Sequence, residues 1–216
     1  MPSEFITIRT LLPTIPIPPN SARPAITTSR LLLRALETTD LEALYTLRTQ
    51  EEVMVWTSTG HIDKNIEDTK GKLEFFLPPN DATTANCAIC WKETGEFIGI
   101  GGCHLYVGSH GWPELGYMLR KEVWGHGLAT EFLSAWLRFW SGLPRSEQEI
   151  TVHKSTVRSG VQEQITAVTD SRNAPSQHVL LKSSFEKFRE YTKADGNESD
   201  GLIRLVAFRY FPLKET

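Results

Sequence analysis

Between Trp124 and Thr130 the chain reads Trp-Gly-His-Gly-Leu-Ala-Thr, and its strongest apolar helix stripe starts directly behind. Glycines at 125 and 127 let the main chain turn sharply and come close to a ligand. The helix behind them aims its free N–H groups and the positive end of its dipole at the same spot. Together these features make an anion site suited to a pyrophosphate. The competing reading is a tight strand-to-helix turn that needs glycine for shape alone. Two other nucleotide motifs fail on the letters. A dinucleotide fingerprint wants G-x-G-x-x-G or Ala, but the third position holds Thr130 and no βαβ alternation precedes it. A P-loop wants Gly-Lys-Ser/Thr, which is absent. Cys87-x-x-Cys90 has zinc or redox spacing, yet no second Cys or His pair stands at ligand spacing; small buried residues in a strand is the plainer reading, and no metal is expected.

The helix that must position the loop is clear. Ala129, Phe132, Leu133, Trp136, Leu137 and Trp140 form an unbroken stripe opposite Thr130, Glu131, Ser134 and Arg138, and Gly142 with Pro144 ends it. Ahead of the loop, Glu114 to Leu119 reads as a short strand, and before that 87–92 and 97–106 read as a hairpin turning at 93–96. A first strand is expected over 26–34, then a helix opened by a Thr39-x-x-Glu42 capping box, then a helix from near Asp63 to Pro78-Pro79. Later come a strand at 165–168, a helix capped at 170–173 and running to 182, and a hairpin of 185–191 and 202–211 with a polar tip at 194–201. Residues 145–164 read as a polar surface insertion or loose helix, and 1–24 as an extended, proline-stiffened lead-in. The domain proper is thus 25–216. This order predicts an α/β (α+β) fold: one mixed, largely antiparallel sheet with helices on both faces.

Composition excludes several function classes. With 40% hydrophobic and 23% charged residues the chain is an ordinary globular protein, not a disordered one. A net charge of −3 argues against nucleic acid as the main partner. No stretch reaches the roughly 20 apolar residues of a membrane span, and the first 20 residues lack the pattern of a signal peptide. Three cysteines, sparse and odd in number, fit a reducing compartment, so a cytoplasmic location is expected.

The loop, taken with its surroundings, resembles the GCN5-related N-acetyltransferases, in particular the branch that acetylates ribosomal-protein N-termini. That family writes the loop Q/R-x-x-G-x-G/A; here Trp124-x-x-Gly127-x-Ala129 matches, with Trp in the first place, and the longer run is WGHGLATEFL. Ser29 to Arg34 resembles the branch's opening strand, Phe97 to Gly102 its third and Glu114 to Tyr117 its fourth. Asn173-Ala174-Pro175-Ser176-Gln177, then Leu181-Lys182 and Phe185, resembles its closing strand-helix-strand. Two departures are the insertion at 145–164 and Ser183-Ser184-Phe185, where the branch usually has Gly before Phe.

The resemblance implies a six- to seven-stranded sheet, splayed between the family's fourth and fifth strands to admit acetyl-CoA. It implies that main-chain groups of Met118 and Leu119 hold the pantetheine arm, and the N–H groups of Gly125, His126, Gly127, Leu128, Ala129 and Thr130 the pyrophosphate, with Trp124 in the same loop. Asn173 is expected to cap its helix and touch the cofactor. Glu114 is the candidate general base, and Ser176 the candidate proton donor to the leaving thiolate. Each has a bland alternative, an exposed strand-end carboxylate and a first-turn helix residue. His126 sits too near the phosphate end to serve as base. His104 and Tyr106, with Trp56 and Trp112, are candidate walls of the acceptor pocket. The acceptor is a primary amine, on a small molecule or a protein N-terminus, and the protein is a monomer or homodimer. A domain of this fold that binds acyl-CoA without catalysis is the alternative function.

Overall fold

The structure, a computed structural model, describes residues 4–157, 162–194 and 201–212. Its strands are β1 (Phe5–Pro13), β2 (Ile26–Thr27), β3 (Leu31–Arg34), β4 (Ala85–Trp91), β5 (Phe97–Leu105), β6 (Glu114–Leu119), β7 (Arg145–His153), β8 (Ile165–Asp170), β9 (Glu186–Ala194) and β10 (Leu202–Tyr210). Its α-helices are α1 (Leu41–Arg48), α2 (Glu51–Met54), α3 (Ile66–Glu74), α4 (Leu128–Gly142) and α5 (Ala174–Lys182). The main sheet runs β2-β3-β4-β5-β6-β8-β10-β9, and β1 pairs with β7 in a separate ribbon. Every neighbouring pair of the main sheet is antiparallel except β6 and β8, which run parallel and meet only at Glu114 and Thr166. Beyond that point the two strands diverge, which is the expected splay.

The stripe on α4 does what its spacing demands. Phe132, Leu133, Trp136, Leu137 and Trp140 are buried in the larger core cluster, and Trp136 stacks on Trp140 at 5.2 Å. The other face of the sheet packs a second cluster that includes Leu44, Leu47, Leu73 and Ile100, with Met118 against it.

Several expectations need correction. The expected lead-in is extended but not separate from the fold, since its residues 5–13 form β1, and residues 145–153 of the expected insertion or loose helix form the strand β7 that pairs with it. Phe5 opposes His153 and Pro13 opposes Arg145 in full antiparallel register. Along β1, Phe5, Thr7, Arg9 and Leu11 are exposed while the residues between them turn inward, so alternation was present beneath the prolines. Residues 158–161 of that insertion, and 195–200 of the expected hairpin tip, lie outside the described residues. The single strand at 26–34 is two, because Thr28 turns the chain by accepting from Leu31 N–H and bonding Leu31 O. The split makes the main sheet eight-stranded, not six or seven. The capping box is formed by Glu37 and Asp40, not Thr39 and Glu42. Asp63 does not start α3; its carboxylate is buried against Arg48 (2.6 and 2.8 Å) and Thr69 (2.6 Å), and Asn65 caps the helix instead.

Ser184, where the branch usually has Gly, stands at φ +64°, the one non-glycine at positive φ among the described residues. The N–H of Phe185 bonds Leu180 O and that of Ser184 bonds Leu181 O, which closes α5 as a Schellman motif with Phe185 packed in the core. A left-handed serine costs about 1 kcal/mol that glycine does not. Ser184→Gly should therefore stabilise the protein by up to about that amount, read as a higher midpoint in urea unfolding; an unchanged or lower midpoint would show that glycine's extra freedom in the unfolded chain cancels the gain.

Candidate active site

The loop after β6 is held from several sides. Trp124 donates its indole N–H to Leu119 O at 2.8 Å, which ties the loop to the end of β6. Gln50, just ahead of α2, accepts from Lys121 N–H at 3.0 Å and donates to both oxygens of Glu122. Lys121 pairs with Glu52, and Arg120 with Glu96. Gly125 and Gly127 take φ of +77° and +76°. Gly127 is the N-cap of α4 and has no side chain to cap with. Among the described residues, no protein acceptor meets the N–H groups of Gly125 through Thr130. A Cβ on Gly125 would meet nothing within 4 Å, and one on Gly127 only Arg30 at 3.8 Å. A row of unpaired amides at the head of a fifteen-residue helix, facing open space, fits an anionic ligand such as a pyrophosphate. His126 is exposed in this row.

Arg30 braces the loop from outside. Its guanidinium donates to His126 O at 2.9 Å and pairs with Glu131 at 2.7 Å. Glu131, in the first turn of α4, also accepts from Thr28, Ser29 and the Arg30 N–H at 2.6 to 2.9 Å.

On β6 the main chain alternates between its neighbours. Arg120 N–H bonds Ile98 O, so Met118, two residues back, also turns its N–H and C=O to β5. The ladder thus commits Met118, which the sequence assigned to the pantetheine arm. The main chain of Leu119 faces the gap instead, as does that of Tyr117, which the sequence did not single out.

Side chains on β6 alternate too. Glu114, half-buried, faces one side of the sheet with its side chain 12% exposed. One oxygen accepts from both the N–H (2.9 Å) and the hydroxyl (2.7 Å) of Ser109, and the other lies 3.7 Å from His104 Nε2. His104 reaches this position because β5 slips register between Cys103 and Leu105, and a bulge re-aims the residue at its centre. Its ring covers Gly116, where a Cβ would lie 3.1 Å from Nδ1. Burial pushes the His104 pKa down from 6.5 while Glu114 opposes the fall, so the imidazole is neutral at pH 7. A carboxylate fixed by two donors, beside a neutral imidazole, is a competent proton acceptor.

On the opposite side of β6 stands Tyr117, tilted against Phe132 of α4 at 6.2 Å. Its hydroxyl lies 3.0 Å from Ser176 Oγ on α5. Asn173 caps α5 by accepting from Ser176 N–H at 3.1 Å, as its position implied. The Ser176 hydroxyl is therefore engaged by Tyr117 and not by its own helix turn.

Two of the candidate pocket walls are structural. Trp112 is fully buried, with its indole on Thr156 Oγ1 at 2.8 Å. Tyr106 is buried and donates to Pro13 O, which anchors β1. Trp56 remains on the surface beyond α2.

A family model described as an acetyltransferase (GNAT) domain matches residues 30–186, from the residue before β3 to the first residue of β9. The chain belongs to the GNAT acetyltransferase family. The GNAT chain is 26% identical over 182 residues to an uncharacterized N-acetyltransferase of Bacillus subtilis, YoaA, covering 82% of this chain and 93% of that protein. Its fold is shared with spermidine N-acetyltransferase from Vibrio cholerae, solved with CoA and spermine (TM-score 0.64, 13% identity, 86% and 97% coverage). It is shared equally with a Salmonella typhimurium acetyl transferase that modifies the N-terminal serine of ribosomal protein L7/L12 (TM-score 0.64, 13% identity, 87% and 99% coverage). The GNAT protein is thus an acyltransferase. Among its described residues no helix is long and apolar enough to cross a membrane, and no cluster of metal ligands is found.

Proposed function

We propose that the protein transfers the acetyl group of acetyl-CoA to a primary amine, on a small molecule or at a protein N-terminus. The observation that carries this reading is the row of unpaired amides at the head of α4, beside the gap where β6 parts from β8. Gly125 to Thr130 hold the pyrophosphate, and the gap-facing main chain of Leu119 and Tyr117 lies along the path to it. The amine attacks the thioester directly, so orientation does much of the work, lowering the barrier by roughly 7–11 kcal/mol in favourable cases. Glu114, fixed by Ser109, takes the amine's proton from one side of the sheet. Ser176, from the other, supplies a proton to the leaving thiolate. Glu114 and Tyr117, the partner of Ser176, point to opposite faces of β6, and the gap opens beyond Glu114.

The test joins binding to turnover. Titration calorimetry with acetyl-CoA should show micromolar binding, and a thiol-release assay over a panel of primary amines should find a substrate. Glu114→Gln should then lower kcat about 100-fold, with acetyl-CoA affinity unchanged. Binding without turnover on any amine would favour a non-catalytic acyl-CoA-binding domain, and absence of binding would sink both.

A further inference from the structure

Tyr117 and Ser176 are both half-buried, come from different elements and share no other hydrogen-bonding partner side chain among the described residues. Two features hold the tyrosine where it is. Its ring rests against Phe132, and that packing is possible because residue 101 on β5 is glycine. A Cβ there would lie 2.5 Å from the Phe132 ring and 2.9 Å from Tyr117 Cβ. Asn173 in turn fixes the first turn of α5, which carries Ser176. Four elements, β5, β6, α4 and α5, thus fix the geometry of this hydroxyl pair.

We propose that Tyr117 is the positioning residue for proton delivery to the leaving thiolate, holding Ser176 Oγ so that the serine's own proton is aimed at the sulfur. The inference rests on the reading of Ser176 given above. Each hydroxyl has one proton to give, and either can donate across the 3.0 Å contact. Once negative charge develops on sulfur, the Ser176 proton turns to that stronger acceptor, and Tyr117 fills the vacated side of Oγ. Burial pushes the Tyr117 pKa up to about 12, with the Ser176 bond opposing, so the phenol keeps its proton and remains a donor at any working pH. The atoms balance without further reagents. The bond from the amine nitrogen to the acetyl carbon forms, the acetyl carbon–sulfur bond breaks with its electron pair going to sulfur, and sulfur takes the Ser176 proton. Ser176 recovers one from water, equal to the one Glu114 returns to water after deprotonating the amine.

The experiment is a double-mutant cycle on kcat and KM, using acetyl-CoA and the best amine from the panel. Tyr117→Phe removes one oxygen and leaves the ring on Phe132, so the fold is kept. It should lower kcat roughly tenfold, the worth of one oriented hydrogen bond, with KM for acetyl-CoA within about twofold. Ser176→Ala should lower kcat at least as much, and the double variant should match Ser176→Ala alone, since the tyrosine acts only through the serine. If Ser176→Ala leaves kcat intact, the assignment of Ser176 as donor fails. If Ser176→Ala impairs turnover but Tyr117→Phe does not, or if the two losses multiply, the positioning role of Tyr117 is overturned while the donor assignment stands. A Tyr117→Phe loss that appears in KM and not in kcat also overturns it, because that pattern belongs to a packing residue of the binding gap.

Discussion

Acetyl-CoA is expected to bind the Gly127→Glu protein at least about 100-fold more weakly than the wild type, a difference of about 2.7 kcal/mol. The carboxylate would stand at the N-cap of α4, beside the unpaired amides of Gly125 through Thr130. Two unit charges about 4 Å apart at a protein surface repel by about 4 kcal/mol, more than enough for the loss. Arg30 approaches within 3.8 Å of the new Cβ, but its guanidinium is already committed to Glu131 and His126 O and is poorly placed to neutralise another carboxylate. Conformation adds a separate cost, since φ at 127 is +76° and a side chain there loses roughly 1–2 kcal/mol of folding stability. Gly127→Asn separates the two effects, because asparagine tolerates the left-handed region and carries no charge. Calorimetric titration should find the Asn variant within about tenfold of wild type. Equal loss in both variants would mean that loop geometry, and not charge, governs the site. No loss in either would remove the pyrophosphate from this loop.

What the sequence disclosed, and what it hid, follows from the range of the interactions involved. The α4 stripe, the bounds of β6 and the Asn173 cap were legible because each is set by residues within a few positions of one another. The loop was legible for the same reason: Gly125 and Gly127 announce positive φ, and the helix begins at once. The β1–β7 ribbon was not, because Phe5 meets His153 across most of the chain, and the prolines of the first 24 residues drew attention from a clean period-two alternation. Site residues fared likewise. Glu114 and Ser176 became candidates from their places in the motifs that carry the family resemblance, but Tyr117 acquires its partner from another element. The bulge that turns His104 toward Glu114 leaves no mark in the letters, since any residue type can occupy it. Ser184 is the reverse case: the letter departs from the family's glycine while the backbone keeps the left-handed conformation.

The bridge between Glu131 and the turn at 28–30 should make the foundation of the loop at 124–130 acid-sensitive. Burial pushes the Glu131 pKa up, but hydrogen bonds from Thr28, the Arg30 N–H, Ser29 and the Arg30 side chain outweigh it and hold the carboxyl at about 2, against an ordinary 4.5. At about 1.4 kcal/mol per unit, that shift of about 2.5 corresponds to at most about 3.5 kcal/mol. Arg30 is 45% exposed and its share is screened by solvent, so about 2 kcal/mol is the expected contribution. The ionised form is the one the fold favours. Its stabilisation is therefore fully present above pH about 4.5 and drains away as pH falls toward 2. Glu131→Gln keeps the shape and removes the charge. Urea unfolding should show the variant about 2 kcal/mol less stable from pH 5 to 8, with the gap closing below pH about 4 until wild type and variant nearly coincide. A gap that persists unchanged at low pH would assign the loss to packing of the side chain. No gap at neutral pH would mean that the turn at 28–30 needs no carboxylate to stay on α4, and that the loop's other contacts, from Trp124, Gln50, Arg30 and the Lys121–Glu52 pair, suffice to hold it.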